Sequence, residues 1–322
     1  MKRIGVIMGD AAGVGPEVVA KALASVLPDL DTDVLLIGDS RVYNEALSIT
    51  GADIHQALPL HFLDTKNLDP SEYQKGIASL KATKASIDDL LLGLSLLKES
   101  SCHAMVFGPL DKKNIRLLGY HYRDEHELFA DYLGFPGQGD AINVLDHVWS
   151  ARVTSHIPLS EVPGALSKER VLLFIRRLNN YLRATGIMQP RIGVSALNPH
   201  CGEGGLCGTE EINVIQPAVA QARAEGINAV GPVPADIICI KTFLQKEFDG
   251  IVSMFHDQVQ SGIKLISNRS SITVTGGIPY SVCTTSHGTG YDIAGKGIAD
   301  ARSFENALRV ASRMSKWQDS AL

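Results

Sequence analysis

The stretch KRIGVIMGDAAGVGPEVVAKALASVL (2–27) decides the fold class of this chain. Its first part, residues 2–8, is a short run rich in β-branched residues and predicts a strand. Residues 16–27 are a longer amphipathic stretch that predicts a helix, and glycines lie between the two. The run DVLLIG (33–38) predicts a second strand. A strand, a helix and a strand in succession are typical of a mainly parallel sheet covered by helices.

The same alternation continues along the chain. Further strands are predicted at AMVFGPL (104–110), RVTSHI (152–157), RIGVSAL (191–197), GIVSMF (250–255) and SITVTGG (271–277). Further helices are predicted at 86–100, 126–134, 168–186 and 210–226. We therefore predict an α/β fold, and the pattern leaves antiparallel additions to the sheet open.

The length and composition limit the classes of protein that this chain can belong to. It has 322 residues, which is about twice a usual ~150-residue domain, so we expect two domains. With 45% hydrophobic residues and 30 glycines in no triplet period, it is neither disordered nor collagen-like. Its net charge of -5 gives no basic surplus, so we expect no nucleic-acid partner. The predicted crossings give one domain at 1–134 with 268–322 and another at 135–267.

The cysteines and the start of the chain indicate the compartment. Five cysteines are spread along the chain and form no CxxC pair, which excludes a thioredoxin-type motif and a cysteine-rich zinc knuckle. The first apolar run is broken by Gly5, Gly9 and Asp10 and is too short for a signal peptide. Because no run of about 18 apolar residues predicts a membrane span, we expect a cytoplasmic protein without a membrane partner.

Three histidines lie at or just after the carboxyl ends of predicted strands. His156 follows ARVTS, His200 follows RIGVSALNP, and His256 follows GIVSMF. Ligands of parallel α/β sheets bind beyond the carboxyl ends of the strands, so the three imidazoles could converge there. Three neutral imidazoles with an open position suit a catalytic Zn²⁺ or a similar divalent ion. The alternative is that each ring hydrogen-bonds a loop backbone, because their spacing matches no local zinc signature.

A glycine-rich segment, SHGTGYDIAGKGIAD (286–300), is the second candidate site. Its glycines allow a ligand to approach the backbone closely, and Asp292 and Asp300 can accept hydrogen bonds from hydroxyl groups. The segment lacks a complete GxGxxG motif. The alternative interpretation is an ordinary glycine-rich turn between a strand and a helix.

Charged residues near other strand ends are further candidates. The segment GPLDKKN (108–114) can present Lys112 to an anionic substrate, and His126 opens a predicted helix. Lys264 is a second candidate cation, and Asp236 is a candidate general base or a helix N-cap. For each of them the alternative is a solvated side chain without a catalytic role.

Seven segments resemble the PdxA family of dehydrogenases, in the same order and at the same intervals. They are GDAAGVGPE (9–17), GPLDKKN (108–114), SHIPL (155–159), ALNPHCGEGGLCGTEE (196–211), GPVPADI (231–237), FHDQ (255–258) and HGTGYDIAGKGIAD (287–300). The match runs nearly end to end, and LNPHCGEGG followed by HDQ is highly specific. The last segment also resembles the cofactor loop of isopropylmalate and isocitrate dehydrogenases.

The resemblance implies a two-domain, isocitrate/isopropylmalate dehydrogenase-like α/β fold with the active site in the interdomain cleft. It implies a homodimer whose subunits share each active site. It also implies a divalent metal held by His156, His200 and His256, with the third of these ligands supplied by the partner subunit. Zinc is the expected metal, and magnesium, manganese or cobalt are the alternatives.

The resemblance also implies NAD as the cofactor and a role for each domain. Domain 1–134 with 268–322 is implied to bind the cofactor, and 135–267 to bind metal and substrate and to dimerise. The implied NAD contacts are His287, Gly288, Thr289, Asp292 and Gly295. The implied reaction is oxidation of a β-hydroxy acid followed by loss of CO₂. Lys112 and Lys264 are implied to stabilise substrate or enolate charge, and Asp236 to transfer a proton.

The predicted substrate pocket departs from the family pattern. The family's His-Thr pair appears here as His126-Glu127, Thr273 stands at an asparagine position and Val282 at an arginine position. Valine cannot replace arginine as a bidentate partner of phosphate, and Glu127 adds negative charge. We therefore expect an unphosphorylated diol acid, such as a cyclic dihydrodiol carboxylate. The alternative is 4-hydroxythreonine 4-phosphate, the family's substrate in pyridoxal phosphate biosynthesis, with Arg123 as a substitute anion-binding residue.

Two other classes of function use part of the same pattern. A zinc hydrolase would use three histidines, but it would have no use for a nucleotide-binding segment at 286–300. A non-catalytic binding protein is the other alternative, and the intact set of three histidines argues against it.

Overall fold

The structure is a computed structural model that describes residues 2–54, 60–122, 124–267 and 270–314. The strands are β1 (Arg3–Ile7), β2 (Asp33–Gly38), β3 (Leu60–Asp64), β4 (Ala104–Phe107), β5 (Asp140–Leu145), β6 (Val148–Arg152), β7 (Ile192–Ser195), β8 (Ala229–Val233), β9 (Gly250–Ser253), β10 (Ile272–Gly276) and β11 (Ser281–Thr285). The α-helices are α1 (Gly15–Val26), α2 (Ser40–Thr50), α3 (Leu80–Lys98), α4 (Lys112–Leu117), α5 (Glu125–Leu133), α6 (Val162–Ala165), α7 (Lys168–Ala184), α8 (Gln216–Ala224), α9 (Ala235–Cys239), α10 (Asp257–Ile266) and α11 (Arg302–Met314). Arg123 lies outside the described residues.

The chain divides into two compact units. The described residues of 1–140 and 269–319 form the first unit, and those of 141–268 form the second. In the first unit the strand order is β3-β2-β1-β4-β11-β10. The pairs from β3 to β11 are parallel, whereas β10 is antiparallel to β11. The carboxyl ends of β1, β4 and β11 therefore lie side by side.

The second unit repeats this organisation with a shorter sheet. Its strand order is β5-β6-β9-β7-β8. Strands β6, β9, β7 and β8 are parallel neighbours, and β5 is antiparallel to β6. The carboxyl ends of β6, β9 and β7 are therefore adjacent, and the segments that follow them leave the sheet at the same edge.

Polar side chains define where several helices begin. Asp39, Asp111 and Asp124 accept hydrogen bonds from backbone N–H groups in the first turns of α2, α4 and α5. Ser79 and Ser167 do the same for α3 and α7. These side chains satisfy N–H groups that have no partner within the helix. Among the described residues, no helix is long and apolar enough to cross a membrane.

The sheet differs from the sequence-based prediction at two hairpins. The segment 135–150, predicted as a crossing, contains β5 and most of β6, which pair as an antiparallel hairpin. The strand predicted at 152–157 is wrong, because β6 ends at Arg152 and His156 lies in the loop that follows. Strands β10 and β11 form the second hairpin, of which only β10 was predicted. Residues Val148–Arg152 are all buried, so they lack the alternation that marks a strand with one exposed face.

Asp89 on α3 gives the first unit a pH-dependent stability. The side chain is 7% exposed and accepts a hydrogen bond of 2.7 Å from Asn67 Nδ2. Burial raises its pKa from 3.8 to about 6. Folding therefore favours the protonated form of Asp89. Its contribution to the unfolding free energy is complete below the pKa of the unfolded chain and is lost as the pH rises through about 6.

We expect Asp89→Asn to remove this pH dependence. Wild type should lose about 2–3 kcal/mol of unfolding free energy relative to the variant as the pH rises from about 4 to about 7. Urea unfolding at a series of pH values measures the difference. Asp53 is exposed, so Asp53→Asn should keep the wild-type slope. Parallel curves for wild type and Asp89→Asn would contradict the assignment.

Candidate active site

The second unit brings two of the three predicted metal ligands together. His156, His256 and His200 follow the adjacent strands β6, β9 and β7. The ring centroids of His156 and His256 are 5.8 Å apart. The described residues contain no group of three or more His, Cys, Asp or Glu side chains placed to hold a metal. Within one chain, therefore, His200 does not complete a three-residue site with this pair.

His256 is oriented as a metal-binding imidazole usually is. Its Nδ1 lies 2.7 Å from Asp257 Oδ1. A hydrogen on Nδ1, donated to this carboxylate, leaves the lone pair on Nε2 free to bind a metal. Both His156 and His200 are exposed, so a ligand can reach them. The nitrogen donors fit Zn²⁺ or a similar divalent ion, and a third donor is needed to complete the set.

The backbone at two of these histidines is strained. His156 has a φ of 54°, in the left-handed region. Five consecutive residues, 200–204, have φ between 45° and 76° and form a left-handed turn that starts at His200. Left-handed backbone costs a residue other than glycine roughly 1–2 kcal/mol, and such strain clusters at functional sites. The two strained histidines therefore support a ligand-binding role at this edge of the sheet.

Two polar side chains, the buried Glu211 and the half-buried Gln258, hold the His200 turn in place. The carboxylate of Glu211, which has no exposed surface, accepts hydrogen bonds from the backbone N–H groups of Leu197 (2.8 Å) and Asn198 (2.7 Å). Gln258 donates to Ala196 O at 2.7 Å and accepts from Met254 N at 2.8 Å. The glutamine thus joins the ends of β7 and β9, which lead to His200 and His256. Sequence reasoning quoted both residues within motifs but missed their roles.

Asp236 and Lys264 lie at different distances from this edge. Asp236 is exposed in the first turn of α9, and the N-cap is Pro234, so the N-cap interpretation of Asp236 is wrong. The pKa of Cys201 is raised by burial and further by the charges of Glu211 and Asp236, which places Asp236 beside the His200 turn. Lys264 is exposed near the end of α10, about 12 Å along the helix axis from His256.

The first unit positions the segment 287–300 through α1. The carboxylate of Glu17 on α1 accepts hydrogen bonds from the backbone N–H groups of Gly295 (2.6 Å) and Gly297 (2.8 Å). Val14 N donates to Thr289 O at 2.8 Å. A Cβ at Gly13 would lie 2.5 Å from Thr289 O, so only glycine permits this approach. The segment is therefore a loop whose conformation is fixed by hydrogen bonds, chiefly to Glu17. This residue was not predicted from the sequence.

The surface of this loop is open where NAD contacts are implied. His287, Gly288, Asp292 and Gly295 are exposed, and Thr289 is half-buried. A Cβ placed on Gly288 would meet no atom within 4 Å. Asp300 is engaged with Arg302 at 2.6 Å, so this carboxylate is already paired. The exposed backbone fits a nucleotide that lies along residues 287–295.

The predicted substrate residues of the first unit do not share one open surface. His126 is 4% exposed, and its Nδ1 lies 2.8 Å from Thr275 Oγ1. Thr273 is 9% exposed and lies 3.5 Å from Ser286 Oγ. Val282 has no exposed surface and packs in the apolar core. Within one chain the Val282 side chain therefore offers no surface to a substrate, and its contact with the substrate stays a prediction.

The charge of Glu127 acts on the Tyr122 hydroxyl. The pKa of the Tyr122 hydroxyl is raised first by its hydrogen bond to Asp131 and then by burial and the charges of Asp131 and Glu127. Residues 127 and 131 are one helical turn apart, so they share a face of α5. The negative charge of Glu127 thus lies beside Tyr122 and Asp131.

Glu125 is the acidic residue that pairs with the predicted substrate-binding lysine. Its carboxylate lies 2.8 Å from Lys112 Nζ, and the side chains are 14% and 64% exposed respectively. Burial raises the pKa of Glu125, but the charges of His126 and Lys112 outweigh it and lower the pKa overall. The lysine therefore presents a cation that is already paired with a carboxylate. Sequence reasoning missed Glu125 because three acidic residues cluster around His126 and no pattern distinguishes them.

One cleft of the second unit is not part of this arrangement. It has a volume of about 580 Å³ and lies at the amino ends of β7 and β8, lined by Arg183, Arg223 and Asn228 among others. The histidines follow the carboxyl ends of the strands. The candidate site is therefore defined by the chemistry of its side chains and not by this cleft.

Comparisons with known proteins agree with the resemblance seen in the sequence. A family model described as "Pyridoxal phosphate biosynthetic protein PdxA" matches residues 30–311. A Pseudomonas aeruginosa protein named "Putative 4-hydroxythreonine-4-phosphate dehydrogenase 2" is 40% identical over 98% of each chain. The crystal structure of a 4-hydroxythreonine-4-phosphate dehydrogenase from Burkholderia phymatum has a TM-score of 0.82, with 31% identity and 98% of each chain covered.

A second solved structure extends the fold comparison. It is a terephthalate 1,2-cis-dihydrodiol dehydrogenase from Burkholderia xenovorans, with a TM-score of 0.71, 24% identity and coverage of 97% of this chain and 98% of that one. At this identity the likeness concerns the fold alone. Together the solved structures confirm the predicted α/β fold class.

Proposed function

Because the chain belongs to the PdxA family of dehydrogenases, which act on CH–OH groups, we propose that it catalyses a metal-dependent, NAD-linked oxidation of a β-hydroxy acid with loss of CO₂. The observation that carries the proposal is the pair of imidazoles at the sheet edge, His156 and His256, with ring centroids 5.8 Å apart. A hydrolase or a non-catalytic binding protein would have no need of a nucleotide-binding loop at 287–295. Relatives named as dehydrogenases also favour an oxidation.

We propose that one chain supplies His156 and His256 and a second copy supplies His200. The closeness of His156 and His256 within one chain supports this division, and it replaces the expectation that His256 is the ligand from the partner. His200 is exposed at the head of a rigid turn, where it can reach another molecule. The active unit is then a homodimer with shared sites.

Exposed aliphatic side chains in the second unit support a dimer. Such side chains cluster on consecutive elements from α9 to α10. They are Ile237 (38% exposed), Ile240 (42%), Leu244 (71%), Leu265 (89%) and Ile266 (43%). Monomers seldom expose several large aliphatic side chains on neighbouring helices, so a second copy is the expected cover.

The proposed chemistry assigns a task to each polar group. A bound Zn²⁺, or Mg²⁺, Mn²⁺ or Co²⁺ in its place, would lower the pKa of the substrate hydroxyl. Asp236, exposed beside the His200 turn, accepts the hydroxyl proton. Lys264 is assigned the stabilisation of the enolate charge that develops as CO₂ leaves. The backbone of 287–295 and the Asp292 carboxylate hold the adenosine end of NAD.

We propose an unphosphorylated diol acid as the substrate. The support is the Lys112–Glu125 ion pair, which offsets the lysine charge that a phosphate would need. The second candidate is 4-hydroxythreonine 4-phosphate, and the name of the Pseudomonas aeruginosa relative supports it.

Steady-state assays test the proposal. The protein is stripped of metal, reloaded with Zn²⁺ and assayed for NAD reduction with a cis-dihydrodiol carboxylate and with 4-hydroxythreonine 4-phosphate. We expect turnover only after reloading and a higher kcat/KM for the unphosphorylated acid. Preference for the phosphorylated acid would reject the substrate assignment. Absence of NAD binding by calorimetry would reject the dehydrogenase chemistry proposed here.

A further inference from the structure

The hydroxyl of Tyr291 joins three loops of the first unit. It lies 2.9 Å from Asp111 Oδ2 and 3.2 Å from Asp10 Oδ2. Asp10 belongs to the loop after β1, Asp111 to the loop after β4, and Tyr291 to the loop after β11. These strands are parallel neighbours, so the hydroxyl sits where their carboxyl ends meet.

Both carboxyl groups are already held by other donors. Asp10 has no exposed surface; its Oδ1 accepts from Ala12 N at 2.9 Å and its Oδ2 from Thr83 Oγ1 at 2.9 Å. Asp111 Oδ1 accepts from the N–H groups of Lys113 and Asn114 at the start of α4. Each carboxyl group therefore presents Oδ2 to Tyr291.

The number of hydrogens on the Tyr291 hydroxyl and the two carboxyl groups determines the direction of each hydrogen bond. A tyrosine hydroxyl has one hydrogen and can donate to only one of the two carboxyl groups. The shorter contact, to Asp111, takes that hydrogen. The contact to Asp10 is then favourable only when Asp10 carries a proton on Oδ2 and donates it to Tyr291 Oη.

The surroundings of Asp10 favour this proton. Burial raises the pKa of Asp10, and the charge of Asp111 raises it further, against the hydrogen bonds that Asp10 accepts from Thr83 and Ala12. Three other titratable groups, Lys75, Glu45 and Tyr73, lie near this loop. Lys75 Nζ donates to Ala11 O at 3.0 Å and lies 3.3 Å from Glu45, and the Tyr73 hydroxyl donates to Glu45 at 3.0 Å.

We propose that Tyr291 is a positioning residue that, together with a protonated Asp10, fixes the NAD-binding loop against the start of α4. Asp111 is the N-cap of α4, and Lys112 is its first residue. The hydrogen-bonded chain from Asp10 through Tyr291 to Asp111 thus sets the cofactor loop and the substrate lysine relative to each other. This inference rests on the proposed function for its cofactor, whereas the loop coupling itself does not depend on NAD.

Hydrogen exchange without NAD tests the coupling. We expect Tyr291→Phe to reduce protection of residues 9–15, 108–117 and 287–297 by about tenfold at neutral pH. Tyr122→Phe is the matched control, since it removes another tyrosine–carboxylate hydrogen bond of 2.7 Å in the same unit. Tyr122 lines a cavity with Lys112 and Arg116, so the control is measured at 9–15 and 287–297, which it should leave unchanged. Wild-type protection in Tyr291→Phe would overturn the proposal.

A second variant tests the proton on Asp10 and guards against misfolding of the first. Asp10→Asn keeps a donor towards Tyr291, so we expect wild-type protection at neutral pH and no loss at high pH. Wild type should lose protection as the pH rises, because two charged carboxylates then face one hydroxyl. Loss of hydrogen-exchange protection in Asp10→Asn at neutral pH would overturn the assignment of a proton to Asp10.

Affinity for NAD separates this proposal from the proposed function. Titration of NAD, followed by protein fluorescence, should give about tenfold weaker binding for Tyr291→Phe than for wild type. If wild type binds no NAD, the proposed function and the cofactor part of this inference fail, and the exchange pattern still decides the coupling. Equal NAD affinity in the two proteins would overturn the positioning role.

Discussion

His200→Ala should abolish both metal retention and NAD reduction while the fold persists. The expected loss in kcat/KM is about 10³-fold or more, since a divalent ion supplies several kcal/mol to such a reaction. His200 is exposed and makes no described ring contact with the His156–His256 pair, so the fold does not depend on its imidazole. Metal analysis after gel filtration and the steady-state assay measure the two effects.

Two further variants make this result specific. His200→Asn keeps the left-handed backbone without added strain, because asparagine tolerates that conformation, and it should lose activity equally. His147→Ala removes an exposed histidine elsewhere in the second unit and should retain metal and activity. Metal retention with full activity in both His200 variants would refute the metal assignment.

Glu125→Gln should shift substrate preference towards phosphorylated acids. The carboxylate, 14% exposed and 2.8 Å from Lys112 Nζ, offsets the charge that a phosphate would meet. Its removal frees the ammonium group and is expected to raise kcat/KM for 4-hydroxythreonine 4-phosphate about tenfold relative to the unphosphorylated acid. The ratio of the two kcat/KM values, at fixed ionic strength, is the measurement.

Controls separate this effect from a change in net charge. Glu72→Gln removes the carboxylate of an exposed pair with Lys81 (2.9 Å) and should leave the ratio at the wild-type value. Glu127→Gln tests the sequence-based interpretation, and we expect a smaller shift because Glu127 lies beside Tyr122. A larger shift in Glu127→Gln than in Glu125→Gln would restore the interpretation from sequence.

The sequence predicted the fold class and two of the three strands that lead to the histidines, β7 and β9. Strands such as β2 were recognisable because a short apolar run with glycine at its end has few other interpretations. The hairpin of β5 and β6 was missed, because the proline and glycine that open residues 135–150 were interpreted as a crossing between two domains. The resemblance identified the family, which no periodicity could do.

The candidate site was less predictable because contacts depend on geometry across loops. Nothing in the sequence shows that Glu125 and not Glu127 faces Lys112, or that Val282 is buried beneath α5. The coupling through Tyr291 depends on three loops separated by long stretches of chain. Contacts between such distant loops cannot be predicted from the spacing of residues along the sequence. A motif such as HDQ does identify Gln258 as a candidate functional residue.

Mixed dimers test the shared site most directly. Inactive variants are unfolded and refolded together, so that half of the dimers contain one chain of each kind. If His156 and His256 come from one chain and His200 from the other, His156→Ala mixed with His200→Ala regains about a quarter of wild-type activity, because each mixed dimer has one intact site. Under the same arrangement, His156→Ala mixed with His256→Ala regains none. Recovery in the second mixture and not in the first, or in neither, would contradict the account.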